Sequence, residues 1–220
     1  MASIEQVRDR YIIKAEKNGT NDDIATDNLR LALLFNESQN KFLTLQLQNR
    51  KVDDIRYIQK FLVLDKSIPY FSKTQEKYNF KLPDNYFDLA DARAKAKKEK
   101  CSDIITLFEL RTENLNEILI DEFHKPSFKW REAPMTVNSD YLSIYTEGDF
   151  QITELLLNYY RYPSQLKLTD ETNPESTFTS DSLIEWDDKS LDDIITLMVF
   201  NNDINENSPR FQLQTLRLQK

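Results

Sequence analysis

The 220-residue chain is poor in the residues on which most catalytic motifs depend. It has two glycines, Gly19 and Gly148, where ordinary usage is about 7%. Phosphate-cradling loops and nucleophile elbows need glycine because backbone must turn sharply or approach a ligand closely. Two isolated glycines cannot write a P-loop, a dinucleotide-binding fingerprint or a G-x-S-x-G elbow. The single cysteine, Cys101, excludes an internal disulfide and any multi-cysteine metal site, and fits assembly in a reducing cytoplasm. The single histidine, His124, excludes a two-histidine metal site and leaves few general-base options. No apolar run reaches the roughly 18 residues of a membrane helix. The opening Met1-Ala2-Ser3-Ile4-Glu5 lacks the basic and apolar regions of a signal peptide. A formal net charge of −8 disfavours tight duplex binding, which needs clustered Lys and Arg. An acidic wall would instead let DNA slide past without sticking.

What is present is a globular composition, 40% hydrophobic and 30% charged, in a length that suits one large domain or two small ones. Residues 1–20 read as a short arm or helix with a turn at Asn18-Gly19. Acidic residues at Asn21-Asp22-Asp23 open a helix carrying Ile24, Leu31, Leu34, Phe35, Phe42 and Leu45 at helical spacing. Neither Pro nor Gly interrupts residues 21–64, so one long helix or two are compatible, with Asp53 as cap of a second bearing Ile55, Ile58, Phe61 and Leu62. Residues 65–80, around Pro69, read as a connection with aromatic anchors, and Pro83-Asp84-Asn85 as a turn.

Periodicity overrides propensity in the next segment. Ala90, Ala92, Ala94 and Ala96 alternate with charged residues, which scatters them around a helix but gathers them on one face of a strand. A strand is expected there, with Cys101 to Arg111 as its antiparallel partner. Asn114 is a candidate cap for a short helix, 115–120, and 123–134 reads as loop or edge strand. Short strands follow through Tyr162, with turns at Asn138-Ser139-Asp140 and Glu147-Gly148-Asp149. Residues 169–177 are a polar loop, Asp187-Asp188 opens a final helix, and 210–218 fits either helix or strand. The expected class is α+β: N- and C-terminal helices packed as a bundle (1–80 and 169–220) with an inserted, mostly antiparallel β unit (81–168).

That order of elements resembles the adaptor proteins that form a ring beneath the portal of short-tailed bacteriophages. Closer wording is similar to ring proteins of crAss-like phages. It lies in Leu82-Pro83-Asp84-Asn85-Tyr86-Phe87, in the Ala/Lys strand ending Lys97-Lys98-Glu99-Lys100-Cys101, in Lys125-Pro126-Ser127-Phe128-Lys129-Trp130 and in Asn158-Tyr159-Tyr160-Arg161-Tyr162-Pro163. The resemblance spans roughly residues 20–205. It implies a dodecameric closed ring in the virion, assembled in the host cytoplasm and docked on the portal and on further tail ring proteins. DNA would be a partner only in passage, with no membrane partner, no cofactor and no enzymatic activity.

Candidate interface residues are Trp130, Tyr159, Tyr160, Arg161 and Tyr162, with Arg210, Phe211 and Leu213 in the tail, because aromatics and Arg are enriched at interface cores. Core packing explains part of the Tyr159–Tyr162 run equally well. Arg93, Lys95, Lys97, Lys98 and Lys100 form a candidate basic contact strip, or else a solvated hairpin. His124 reads as a loop residue and Cys101 as a structural thiol. The pairs Asp22-Asp23, Asp53-Asp54 and Asp187-Asp188 sit where helices should begin, so capping outweighs a metal role for them. The rival reading is an intracellular protein–protein adaptor without ring formation; a metal-dependent nuclease using acidic pairs is the third.

Overall fold

The computed structural model describes residues 3–17, 27–49, 57–121, 123–180 and 182–203. The chain divides into two compact units, Phe61–Tyr162 and the two flanking segments taken together. The expected borders at 80/81 and 168/169 therefore move to 60/61 and 162/163.

In the flanking unit, α1 (Ile4–Lys17) starts with a capping box. Ser3 Oγ accepts from the Gln6 amide at 3.2 Å while the Ser3 amide donates to Gln6 Oε1 at 3.0 Å, so two orphan donors are satisfied reciprocally. Val7, Tyr11 and Ala15, at spacing four, are its buried stripe. Asp27 caps α2 (Asn28–Asn49), accepting from the Arg30 amide at 2.6 Å. Asp187 caps the C-terminal helix, which we call α4 (Asp188–Asp203), through the Ser190 amide and hydroxyl at 2.9 and 3.0 Å. The α4 side chains Leu191, Ile194, Ile195 and Met198 are buried, and the helix lies against α2 and α1.

An irregular segment, 163–187, fills the rest of this core with Leu166, Leu168, Ile184 and Trp186. It is held by amides on α2. Asn36 donates to the Leu166 carbonyl (2.9 Å) and accepts from its amide (2.8 Å), and Gln39 Oε1 accepts from the Trp186 indole at 3.0 Å. Coil thus occupies the position against α2 that another bundle helix would need, and buried Gln39 belongs to the core instead of the polar face.

The other unit is a single sheet: β1 (Leu62–Ile68), β2 (Tyr70–Lys73), β3 (Lys77–Lys81), β4 (Tyr86–Lys98), β5 (Cys101–Glu109), β6 (Glu132–Val137), β7 (Tyr141–Tyr145) and β8 (Gln151–Arg161). A short helix, α3 (Leu115–Ile120), lies between β5 and β6. The order across the sheet is β1-β8-β4-β5-β6-β7-β3-β2. Every pairing is antiparallel except β5 with β6. The two edge strands are consecutive in sequence, separated only by Pro69, which lacks a ladder donor. The sheet therefore curls into a half-barrel around a core that includes Phe80, Ile105, Leu142, Ile144 and Leu155.

The expected fold class is corrected accordingly. The protein is mostly β, an eight-stranded half-barrel sheet with a few helices, and the helices are not an N- and C-terminal bundle. Three strands, β1 to β3, occupy residues that read as helix end and connection. The helical pattern stops at a 3-10 turn, Gln59–Phe61, and Leu62 onward pairs with β8 from Tyr160 to Leu155.

The alanine face is as expected over most of its length: Ala92, Ala94 and Ala96 are fully buried. Ala90 is exposed, because the register with β8 shifts between Leu89 and Asp91 and a bulge turns it off that face. Pro134 lies inside central strand β6, where proline is rare; the ladder to β7 begins only at Met135, so the missing donor falls outside it. The expected turn at Asn18-Gly19, the helix start at Asn21 and the Asp53 cap lie outside the described residues.

Candidate interaction surface

Parallel strands cannot be joined by a tight turn, so β5 and β6 need a crossover. Here it is an arm, residues 110–131. Its base is fixed by the Leu110 amide on the Met135 carbonyl and the Thr106 amide on the Arg131 carbonyl, both at 2.8 Å. Ser127 and Glu132 exchange backbone bonds at 2.9 and 3.2 Å. Half-buried Phe128 anchors the arm against Phe150, with ring centroids 6.0 Å apart.

Beyond this base the arm carries a 3-10 turn, Thr112–Asn114, and then α3. Asn114 stands at the cap position, but its side chain makes no capping bond. Six residues form a helix that is marginal by itself, and none of its side chains is buried. After it, Asp121 accepts from the Phe123 amide at 3.0 Å and meets His124 Nδ1 at 2.6 Å. The amide, and secondly the imidazole, hold the Asp121 carboxyl below the ordinary carboxylate range.

The outcome is a concentration of exposed apolar surface. Ile120 is 81% exposed, Phe123 89% and Trp130 70%, the three highest values for large hydrophobic side chains among the described residues. Lys129 Nζ lies 5.4 Å from the Trp130 ring. A second exposed patch lies at the β2 edge. Phe71, 61% exposed, packs edge-on against Tyr141 with centroids 6.5 Å apart.

The residues singled out from sequence are not brought together as one surface. Trp130 is on the arm. Tyr159 points into the half-barrel core, its hydroxyl donating to Asn85 Oδ1 at 2.9 Å and its ring 5.8 Å from Tyr86. Burial, and then the charges of Asp88 and Glu109, push the Tyr86 hydroxyl well above its ordinary value. Tyr160 is half-buried, Arg161 lies over the Phe61 ring at 5.3 Å, and Tyr162 packs on Phe87 at 4.8 Å. This run mostly seals one end of the sheet. Arg210, Phe211 and Leu213 lie outside the described residues.

The basic strip is largely neutralised by its neighbours. Arg93 pairs with Asp65, Lys95 with Glu154 and Lys98 with Asp149. Lys95 and then Ser67 hold the Glu154 carboxyl below its ordinary range. Lys97 and Lys100 have no ion-pair partner among the described residues. Cys101 is exposed at the start of β5. Asp187 caps α4, and Asp192 on that helix pairs with Lys14 at 2.7 Å. Among the described residues no group of three or more His, Cys, Asp and Glu side chains is placed to hold a metal ion, and no helix is long and apolar enough to cross a membrane.

Ile120, Phe123 and Phe71 escaped the sequence reading, since an apolar residue carries no mark of its exposure. The one available signal was the stretch from Thr112 to Asp121, apolar and acidic without a single Lys or Arg. No protein-family model matches the chain, and no curated protein matches it.

Proposed function

We propose that this chain is a structural virion protein that forms a closed ring below the portal at the head–tail junction, joins the portal to the tail and lines the channel through which DNA leaves. The observation that carries the assembly part is the arm. Ile120, Phe123 and Trp130 are presented to solvent within eleven residues of sequence. Clustered exposure of large apolar side chains marks an interaction surface, because it costs solubility without helping the monomer fold. Portal, tail and channel come from the resemblance of the four segments quoted above. The net charge of −8 suits a wall along which phosphate must pass without adhering.

The mechanism is geometric. Each subunit offers one surface to the next and a different surface to the one before, and the rotation closes. The test is native mass spectrometry of the purified chain, alone and mixed with its cognate portal. The expected result is a discrete ring-sized complex, with twelve copies as the resemblance implies. A persistent mass of 26.1 kDa in both samples would sink the proposal and favour the adaptor reading.

A further inference from the structure

We infer that the arm of one copy seats on the β2 edge of the next copy, an assignment that rests on the ring reading above. A head-to-tail ring needs two dissimilar, complementary surfaces on every subunit. The arm leaves the sheet between β5 and β6, and the β2 edge lies beyond β7 and β3, so the two are separate places on one half-barrel.

The arm as a whole is balanced, with Arg111, Lys125, Lys129 and Arg131 against Glu113, Glu117, Asp121 and Glu122, but its α3 segment and the β2–β3 hairpin are opposite in charge. Between Thr112 and Asp121 the arm carries Glu113, Glu117 and Asp121 and no basic residue. The β2–β3 hairpin presents Lys73, Lys77 and Lys81. Lys73 and Lys77 have no carboxylate partner among the described residues; they rest over the rings of Tyr70 at 5.6 Å and Tyr145 at 5.3 Å. Lys81 meets Asp84 at 3.4 Å with both side chains in solvent, a pairing that an incoming carboxylate readily replaces. Within residues 70–81 Lys73, Lys77 and Lys81 outnumber Glu76, and Asp84 and Asp140 border the patch.

Apolar surface is present on both sides: Ile120, Phe123 and Trp130 on the arm, Phe71 and Tyr141 on the seat. The seat is also firm. Tyr70 is wedged edge-on against Tyr78 (5.7 Å) and Phe80 (6.5 Å), which fixes β2 to the core. Every residue of β2 is exposed, and one flank of its backbone forms no ladder, although β8 lies near it. The opposite edge fits the arm less well. β1 is bulged between Val63 and Lys66, and Asp65 there has a left-handed φ of 50° with its carboxylate already paired to Arg93. The strip around Arg93 is already ion-paired.

The experiment mixes unlabelled and 15N-labelled full-length chain in equal amounts, assembles it with portal at low salt, and applies a zero-length carbodiimide. Mass spectrometry should find amide links from Glu113 or Glu117 to Lys73 or Lys77 in mixed-isotope pairs, which are links between copies. In parallel, Glu113→Lys/Glu117→Lys and Lys73→Glu/Lys77→Glu should each weaken self-association about tenfold or more, and all four changes in one chain should restore it to within about threefold. All four positions are at or near the surface, so folding survives. Rings whose arm links go elsewhere, or a combined swap that fails to restore, overturn the seat and leave the ring reading intact. Wild-type chain that never assembles overturns both.

Discussion

At its start β5 is tied to β4 by Glu99 and Lys100 alone; at its end it reaches β6 through residues 110–131. The hairpin end is paired from Arg93↔Thr106 to Lys98↔Cys101, with buried alanines on one face and ion-paired side chains on the other. The arm end fully buries no side chain of α3, leaving Leu115, Ile118 and Leu119 half-buried, and holds the most exposed apolar side chains of the described residues. The two ends share a strand, a core and a solvent, so the difference is not a matter of fold strength. The hairpin spends no residue beyond what pairing requires. The arm holds large apolar side chains that the subunit's own core does not take up, which is the feature on which the proposed contact rests.

The comparison breaks most decisively at Ile105, which is fully buried in the middle of β5. Ile105→Ala should destabilise the protein by about 2–5 kcal/mol in urea unfolding, a transfer loss plus a cavity. A smaller value would mean that the sheet core is as loosely built as the arm. Next comes Glu99, held in the left-handed region at φ 51° with no glycine to relieve it. Glu99→Gly should stabilise by about 1 kcal/mol by the same measurement; a loss would show that the turn is not under strain.

Phe123→Ser and Ile120→Ser should move folding stability by no more than about 0.5 kcal/mol, as exposed positions do, while impairing assembly. A large loss of stability would place these side chains in the subunit's own core. The smallest effect is on Asp121. Its carboxyl is held below the ordinary range, so it stabilises the arm's turn above about pH 4 and that stabilisation is lost as pH falls through its lowered value. Hydrogen exchange at the Phe123 amide should therefore show protection falling in acid, relative to an Asp121→Asn variant measured at the same pH.

Legibility differed in the same way along the sequence. The β4–β5 hairpin could be read directly, because alternation of alanine and charge admits one secondary structure, and only the bulge at Ala90 lay beyond reach. β3 had the same kind of signal in Tyr78, Phe80 and Leu82, all buried on one face. It was masked by the uninterrupted run before it and by Pro69, which reads as a stop but here joins two edge strands. Among the caps, Asp187 was legible and Asn114 marked the start of α3 without bonding it, whereas Ser3 and Asp27 were not read as caps; nor does anything in Leu166 to Trp186 announce that coil will fill a core. For the candidate surface, sequence pointed to Tyr159 by residue type, and the fold turned it inward. Exposure is a property of the assembled sheet, so Ile120 and Phe123 could be recognised only after β5 and β6 were known to be parallel.

Leu62 is paired with Tyr160, so the sheet unit receives the chain and returns it at neighbouring positions on adjacent antiparallel strands. Tension applied through both connections would pull across the strands, along their hydrogen bonds, and open the ladder one rung after another, like a zip, instead of shearing all rungs at once. Such a unit is a poor mechanical link in series and a good pendant, and optical-tweezer pulling from residues 60 and 163 should find it yielding gradually at low force; an abrupt high-force rupture would contradict this.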